Sequence, residues 1–177
     1  MVSRYLRIVA VAGAALLQTV TGTWAQGTSD NLVATKTDWY VYEEKSPREC
    51  WAVSAPKEMV NTREGRIVAV TRSDTVLMAF YHPDKNTSGA LAFTGGYPFA
   101  PGSFVEVKID DASYKWFTEG EWAWPESAAD DSKIITAMKR GKSAVITARS
   151  ARGTQTKDTF SLLGFTAAVE EAAARCK

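Results

Sequence analysis

His82 is the only histidine in the 177-residue chain. A nucleophile–His–acid triad would have to be built on it, because that chemistry needs a base that takes and returns a proton near neutral pH. It stands directly before Pro83 in the turn-forming run His82-Pro83-Asp84-Lys85-Asn86, where an exposed loop histidine is the plainer expectation. No Gly-x-Ser-x-Gly elbow and no phosphate-cradling Gly-Lys-Ser/Thr loop accompanies it. Paired carboxylates can divide acid and base roles in glycoside hydrolysis. Asp110-Asp111, Asp130-Asp131 and Glu119 with Glu121 qualify by type. Acids at turns and helix starts are ordinarily solvated or set against the helix dipole, and nothing in the sequence fixes a carboxylate separation. A carboxylate-dependent hydrolase is therefore kept only as an alternative. The chain is read as a non-enzyme with no catalytic residue and no cofactor.

Cys50 and Cys176 are the only cysteines. With one histidine they supply too few of zinc's usual ligands, so no metal site is expected. Two thiols in a small exported domain usually pair. A Cys50–Cys176 disulfide is the expectation, with two unrelated free thiols as the alternative.

The aromatic residues carry the other candidate chemistry. Trp39, Tyr40 and Tyr42, then Trp116, Phe117, Trp122 and Trp124, crowd short strand-like segments. At two-residue spacing Trp122 and Trp124 share a face of a strand. Exposed, such rings stack against sugars or a partner peptide; buried, they form a sandwich core, the commoner fate of large aromatics. Tyr97 and Phe99 stand in a Gly/Pro loop, which either presents them to a ligand or folds them over an open barrel end. Tyr97, Phe99, Trp122 and Trp124 are the candidate contact residues. Arg152-Gly153-Thr154 reads as a turn whose glycine supplies positive φ.

Export is the expectation that makes the disulfide reasonable. Arg4 and Arg7 precede the uncharged stretch Ile8 to Leu17, and Thr23-Trp24-Ala25 resembles a signal-peptidase site, so residues 1–25 read as a signal peptide. Removing them takes away both arginines and no acid, leaving 19 Lys+Arg against 20 Asp+Glu. A chain so balanced offers no clustered basic groove for nucleic acid and no polybasic membrane patch. No second long apolar segment predicts a transmembrane span.

The elements that must position these residues are mostly short strands. Residues 26–36 read as a flexible lead-in and 37–177 as one β-rich domain. Candidate strands are Thr37 to Glu43, Cys50 to Ser54, Arg66 to Thr71 and Thr75 to Tyr81, the last two as a hairpin around Arg72-Ser73-Asp74. Gly89 to Thr94, Phe104 to Ile109, Ser113 to Thr118 and Glu121 to Trp124 follow, with Lys142 to Arg149 and Lys157 to Leu162 as the last two. Ser127 with Asp130 resembles a capping box for a helix ending at Gly141. Thr166 is the expected cap of a terminal helix whose Phe165, Ala168, Val169, Ala172 and Cys176 form one stripe. A series of short strands with two helices, one of them C-terminal, fits an antiparallel sandwich or flattened barrel.

Several phrases in order resemble the invasion-associated locus B family of exported bacterial proteins. They are Trp39 before Cys50, Phe93-Thr94-Gly95-Gly96-Tyr97-Pro98-Phe99, Gly102-Ser103 and Ala137-Met138-Lys139-Arg140-Gly141. Ser150-Ala151-Arg152-Gly153-Thr154, Asp158-Thr159-Phe160-Ser161-Leu162, Gly164-Phe165-Thr166-Ala167-Ala168 and the late Cys176 complete the series. The resemblance implies a small β-rich protein without a known cofactor, periplasmic or secreted, in some cases associated with the outer membrane. It implies action by surface recognition or envelope support, in some pathogens toward host cells, with an envelope or host-surface protein or glycan as partner. The alternative is a glycan- or peptide-binding sandwich module.

Overall fold

The computed structural model describes residues 31–177. The expected signal peptide and the first residues of the expected lead-in lie outside the described residues. Twelve strands and two α-helices follow in the order β1 (Leu32–Lys36), β2 (Trp39–Lys45), β3 (Arg48–Ser54), β4 (Glu58–Arg63), β5 (Arg66–Ile67), β6 (Val76–His82), β7 (Thr87–Thr94), β8 (Phe104–Ile109), β9 (Ala112–Glu119), β10 (Trp122–Trp124), α1 (Ala128–Arg140), β11 (Ser143–Arg149), β12 (Gln155–Ser161) and α2 (Phe165–Arg175).

All strands join one antiparallel sheet in the order β1-β2-β3-β6-β7-β10-β9-β8-β11-β12-β4-β5. Sequential strands pair in the runs β1-β2-β3, β4-β5, β6-β7, β8-β9-β10 and β11-β12, and Ala55-Pro56-Lys57 carries the chain from β3 across to β4, which pairs with β12. It folds over on itself, so that Phe93 of β7 meets Phe160 of β12 edge-on at 6.1 Å. Trp39 of β2 donates its indole N–H to the Ser161 carbonyl at 3.0 Å across the same interior. The mainly antiparallel architecture with two helices agrees with the expectation. The barrel option does not, because β1 and β5 are unpaired edges and the ladder does not close.

Alternation builds the interior. Val105, Val107 and Ile109 of β8 are buried, whereas Phe104, Glu106 and Lys108 face out. Ser127 caps α1, accepting from the Asp130 N–H at 3.2 Å while its hydroxyl donates to the Asp130 carboxylate at 2.6 Å. Asp130 and Asp131 in the first turn and Lys139 and Arg140 in the last suit the helix dipole. α2 buries Phe165, Ala168, Val169 and Ala172 against the sheet, with Phe165 edge-on to Trp39 at 4.8 Å. Cys176, just past α2, is bonded to Cys50 of β3, with Cα atoms 6.0 Å apart.

Several expectations are corrected. Leu32–Lys36, read as lead-in, is strand β1 laid on β2. β4 has no counterpart in the sequence reading. The hairpin expected around residues 72–74 is absent. Glu64 and Gly65, with φ of 51° and 75°, instead turn β4 into β5, while β6 sits between β3 and β7. The chain between β5 and β6 is held as a strap because Arg72 is drawn inward to Asp158. Thr166 does not cap α2. Gly164 does, with φ 92°, because the Lys36 carbonyl stands where a Cβ would have to go. The Thr166 hydroxyl donates to the Lys139 carbonyl instead, at 3.4 Å.

Candidate functional site

The same alternation that fills the interior sends a second set of apolar side chains outward. β3 turns Cys50, Ala52 and Ser54 in and Trp51 out; β6 turns Leu77 and Ala79 in and Met78 and Phe80 out. β10 buries Ala123 and projects Trp122 and Trp124 to the opposite side. Because paired residues share a face, the register lines these rings up. Tyr42 lies opposite Trp51 and Trp51 opposite Phe80, while Trp124 lies opposite Phe117 and Phe117 opposite Phe104. Between the two rows, β7 presents the small Ala90 and Ala92 on this side, with Thr94 opposite Trp122. The small alanines leave a shallow groove of about 330 Å³ between Trp51, Met78 and Phe80 on one flank and Trp122 and Trp124 on the other.

Trp122 is 37% exposed, Phe117 40% and Phe104 62%, while Trp51, Phe80 and Trp124 are half-buried. Trp124 and Phe117 stack in a tilted pair at 5.4 Å. One end of the groove is polar. His82, the last residue of β6, bonds through Nε2 to the Glu49 carboxylate at 2.9 Å, with Lys85 and Thr87 alongside. His82 is therefore not the exposed loop histidine that its Pro83 neighbour suggests: its side chain is 9% exposed.

Tyr97 and Phe99 are not brought to this face. Phe99 is 5% exposed and packs on Phe93 at 6.1 Å and on Tyr97 at 5.3 Å. Tyr97 is half-buried, its hydroxyl 2.5 Å from Thr156 Oγ1 and its ring 5.1 Å from the Arg72 guanidinium. Burial pushes the Tyr97 hydroxyl up to about 12, against the opposing pull of the Thr156 bond and the Arg72 charge. Phe99 belongs to the core and Tyr97 packs against it, so the four candidate aromatics divide into two separate groups.

The candidate acids are also dispersed. Asp110-Asp111 lies in the β8–β9 turn, whereas Glu119 and Glu121 lie at the β9–β10 turn, at the other end of β9. Asp130 accepts the Ser127 hydroxyl in the first turn of α1, and Asp131 accepts the Leu91 N–H at 2.8 Å. Among the described residues no three His, Cys, Asp or Glu side chains gather in a way that could hold a metal ion.

Trp51, Met78, Phe80 and Glu49 were not singled out from sequence, and His82 was weighed there only as a triad base in an exposed loop. A signal exists in Val76 to Tyr81, an apolar run without polar alternation. Such a run marks a strand apolar on both faces, and here only one of those faces is covered by the interior.

With fold and site in view, comparison with known proteins is informative. The family model described as "Invasion associated locus B (IalB) protein" matches residues 41–173. No curated protein matches the chain. Among solved structures, that of invasion associated protein B from Bartonella henselae is similar, with a TM-score of 0.56 and 14% identity. The alignment covers 81% of this chain and 96% of that one. At this identity the likeness speaks for the fold, and the family match spans most of the sequence from β2 through α2. On that match, the chain belongs to the invasion associated locus B family.

Proposed function

We propose that this is an exported, envelope-associated protein that works by non-enzymatic surface recognition, with the outer aromatic face as its contact surface. Export is supported by the signal-like residues 1–25, whose removal leaves residues 26–177 as the working chain, a single domain whose sheet begins with β1. The disulfide fits an oxidising compartment, and no helix among the described residues is long and apolar enough to cross a membrane.

The observation that carries the reading is the double row of outward rings, with Trp122 and Trp124 flanking one side of the groove. A contiguous apolar patch on a protein surface marks a site of contact. A second reading is favoured by the polar end of the groove. Glu49, His82 and Thr87 beside stacked rings suit a sugar, whose hydroxyls need acceptors and donors while its C–H face lies on an aromatic.

Co-sedimentation with washed cell envelopes tests the main reading. The wild-type protein should pellet with them, and the Trp122→Ala/Trp124→Ala variant, melting at the wild-type temperature, should stay in the supernatant. Equal sedimentation of the two proteins would remove the aromatic face from the contact. Release of the wild type by a soluble neutral oligosaccharide would select the sugar reading.

A further inference from the structure

A second surface, away from the aromatic face, has an unbalanced charge. Arg63 ends β4, Arg66 starts β5, Arg149 ends β11, and Arg152 sits in the turn between β11 and β12. Two clefts, of about 490 and 450 Å³, share Arg63 and Arg152 as common walls. The chain beyond residue 25 is nearly neutral overall, so this cluster does not reflect general basicity.

None of the four arginines forms an ion pair among the described residues, although Arg72 and Arg175 do. Glu121 lines one cleft and Glu64 the other, yet neither is within pairing distance of them. Arg63 and Arg66 stand directly opposite in the β4–β5 ladder. Like charges so placed destabilise a sheet, so the pair lowers stability with no compensating acid. Arg63 is also held in place: its Nη2 donates to Thr154 Oγ1 at 2.8 Å.

Forked guanidinium groups without a carboxylate partner are suited to tetrahedral oxyanions, which accept two parallel N–H bonds from each. The clefts carry neutral donors and acceptors as well, Ser150 and Thr154 in one and Thr62 and Gln155 in the other. Those groups match sugar hydroxyls. The concave walls admit a flexible chain more readily than the flat surface of a bilayer. We propose that the clefts around Arg63, Arg149 and Arg152 bind the phosphate or sulfate esters of an anionic saccharide.

Titration calorimetry with the protein as purified from its producing cell tests this, using a heparin-derived hexasaccharide as probe. A dextran of similar length is the neutral control, and phosphatidylglycerol vesicles stand for a membrane. The hexasaccharide should bind, more weakly as salt rises from about 50 to about 200 mM, and the dextran should not. Arg149→Ala/Arg152→Ala removes exposed side chains with no internal partner and should weaken binding about tenfold or more, about 1.4 kcal/mol. Trp122→Ala/Trp124→Ala should leave the affinity unchanged, so that failure of the aromatic-face reading and failure of this one remain separable. Unchanged affinity in the arginine variant, equal binding of dextran, loss of binding in the tryptophan variant, or binding to vesicles alone would each overturn the proposal.

Discussion

Arg72 grips Asp158 with both prongs of its guanidinium, Nη1 to Oδ1 at 2.8 Å and Nη2 to Oδ2 at 2.6 Å. The two side chains are 6% and 0% exposed. Arg72 Nε also donates to the Gly95 carbonyl at 2.8 Å, and its face lies over the Tyr97 ring. The strap between β5 and β6 is thereby fastened to β12 and to the loop after β7.

Removing one member of a buried pair leaves the other charge without compensation, which typically destabilises by about 3–5 kcal/mol. Asp158→Ala should therefore lower the free energy of unfolding by about that amount, measured by urea denaturation. Arg72→Met with Asp158→Leu, which removes both charges, should recover much of the loss. A double variant as unstable as the single one would assign the effect to packing rather than charge.

The Cys50–Cys176 bond closes a loop of sequence separation 126 between β3 and the end of α2. In the chain-entropy account, closing so long a loop limits the unfolded ensemble by roughly 4–5 kcal/mol. Cys50→Ser should lower the melting temperature markedly under non-reducing conditions, and reductant should bring the wild type down to the same value. Identical melting of mutant and oxidised wild type would remove the bond from the stability of the fold.

Asp131 is half-buried at the first turn of α1, and burial, its largest influence, raises its carboxyl above the ordinary value. The Leu91 N–H bond pulls the other way. A folded pKa above the unfolded one means that the folded state holds its proton more tightly. The associated stability is present below the unfolded value, about 3.9, and is lost as pH rises through the folded value. Asp131→Asn keeps an acceptor for Leu91 without the charge, so it should raise the melting temperature by a few degrees at pH 7 and have little effect at pH 3. A lower melting temperature at pH 7 would show that the charge itself is needed, through the helix dipole.

What could be read from the residues depended on how local the cause was. β8 announces itself by strict alternation, and α1 by Ser127, Asp130 and its apolar spacing, because each is decided within a few residues. β1 and β4 do not, since their residues become strands only by pairing with β2 and β12, over 90 positions away in the case of Gln155 and Thr62. The hairpin expected around Arg72 failed because a partner 86 positions distant, Asp158, claimed the turn. At the candidate site, the shared face of Trp122 and Trp124 was legible from spacing alone. Their neighbours Trp51, Met78 and Phe80 were not, because sheet order is non-local. Nor could sequence show that Glu49 and His82 meet, being on different strands.

Tyr97 and Phe99 make different demands on the fold although only Pro98 separates them. Phe99 sits among Phe93 and Tyr97 with 5% exposure, so Phe99→Ala removes a packed ring and should destabilise by about 3–5 kcal/mol. Tyr97→Phe keeps the ring over which Arg72 lies and loses only the hydroxyl near Thr156. Its effect should be about 0.5–1.5 kcal/mol, the net worth of one hydrogen bond. Tyr97→Ala also uncovers the Arg72–Asp158 pair to water, and should exceed Tyr97→Phe by more than the lost area alone explains. Denaturation curves for the three variants check the order. If Phe99→Ala fell within about 0.5 kcal/mol of wild type, as surface substitutions do, Phe99 would be returned to the surface as a contact residue.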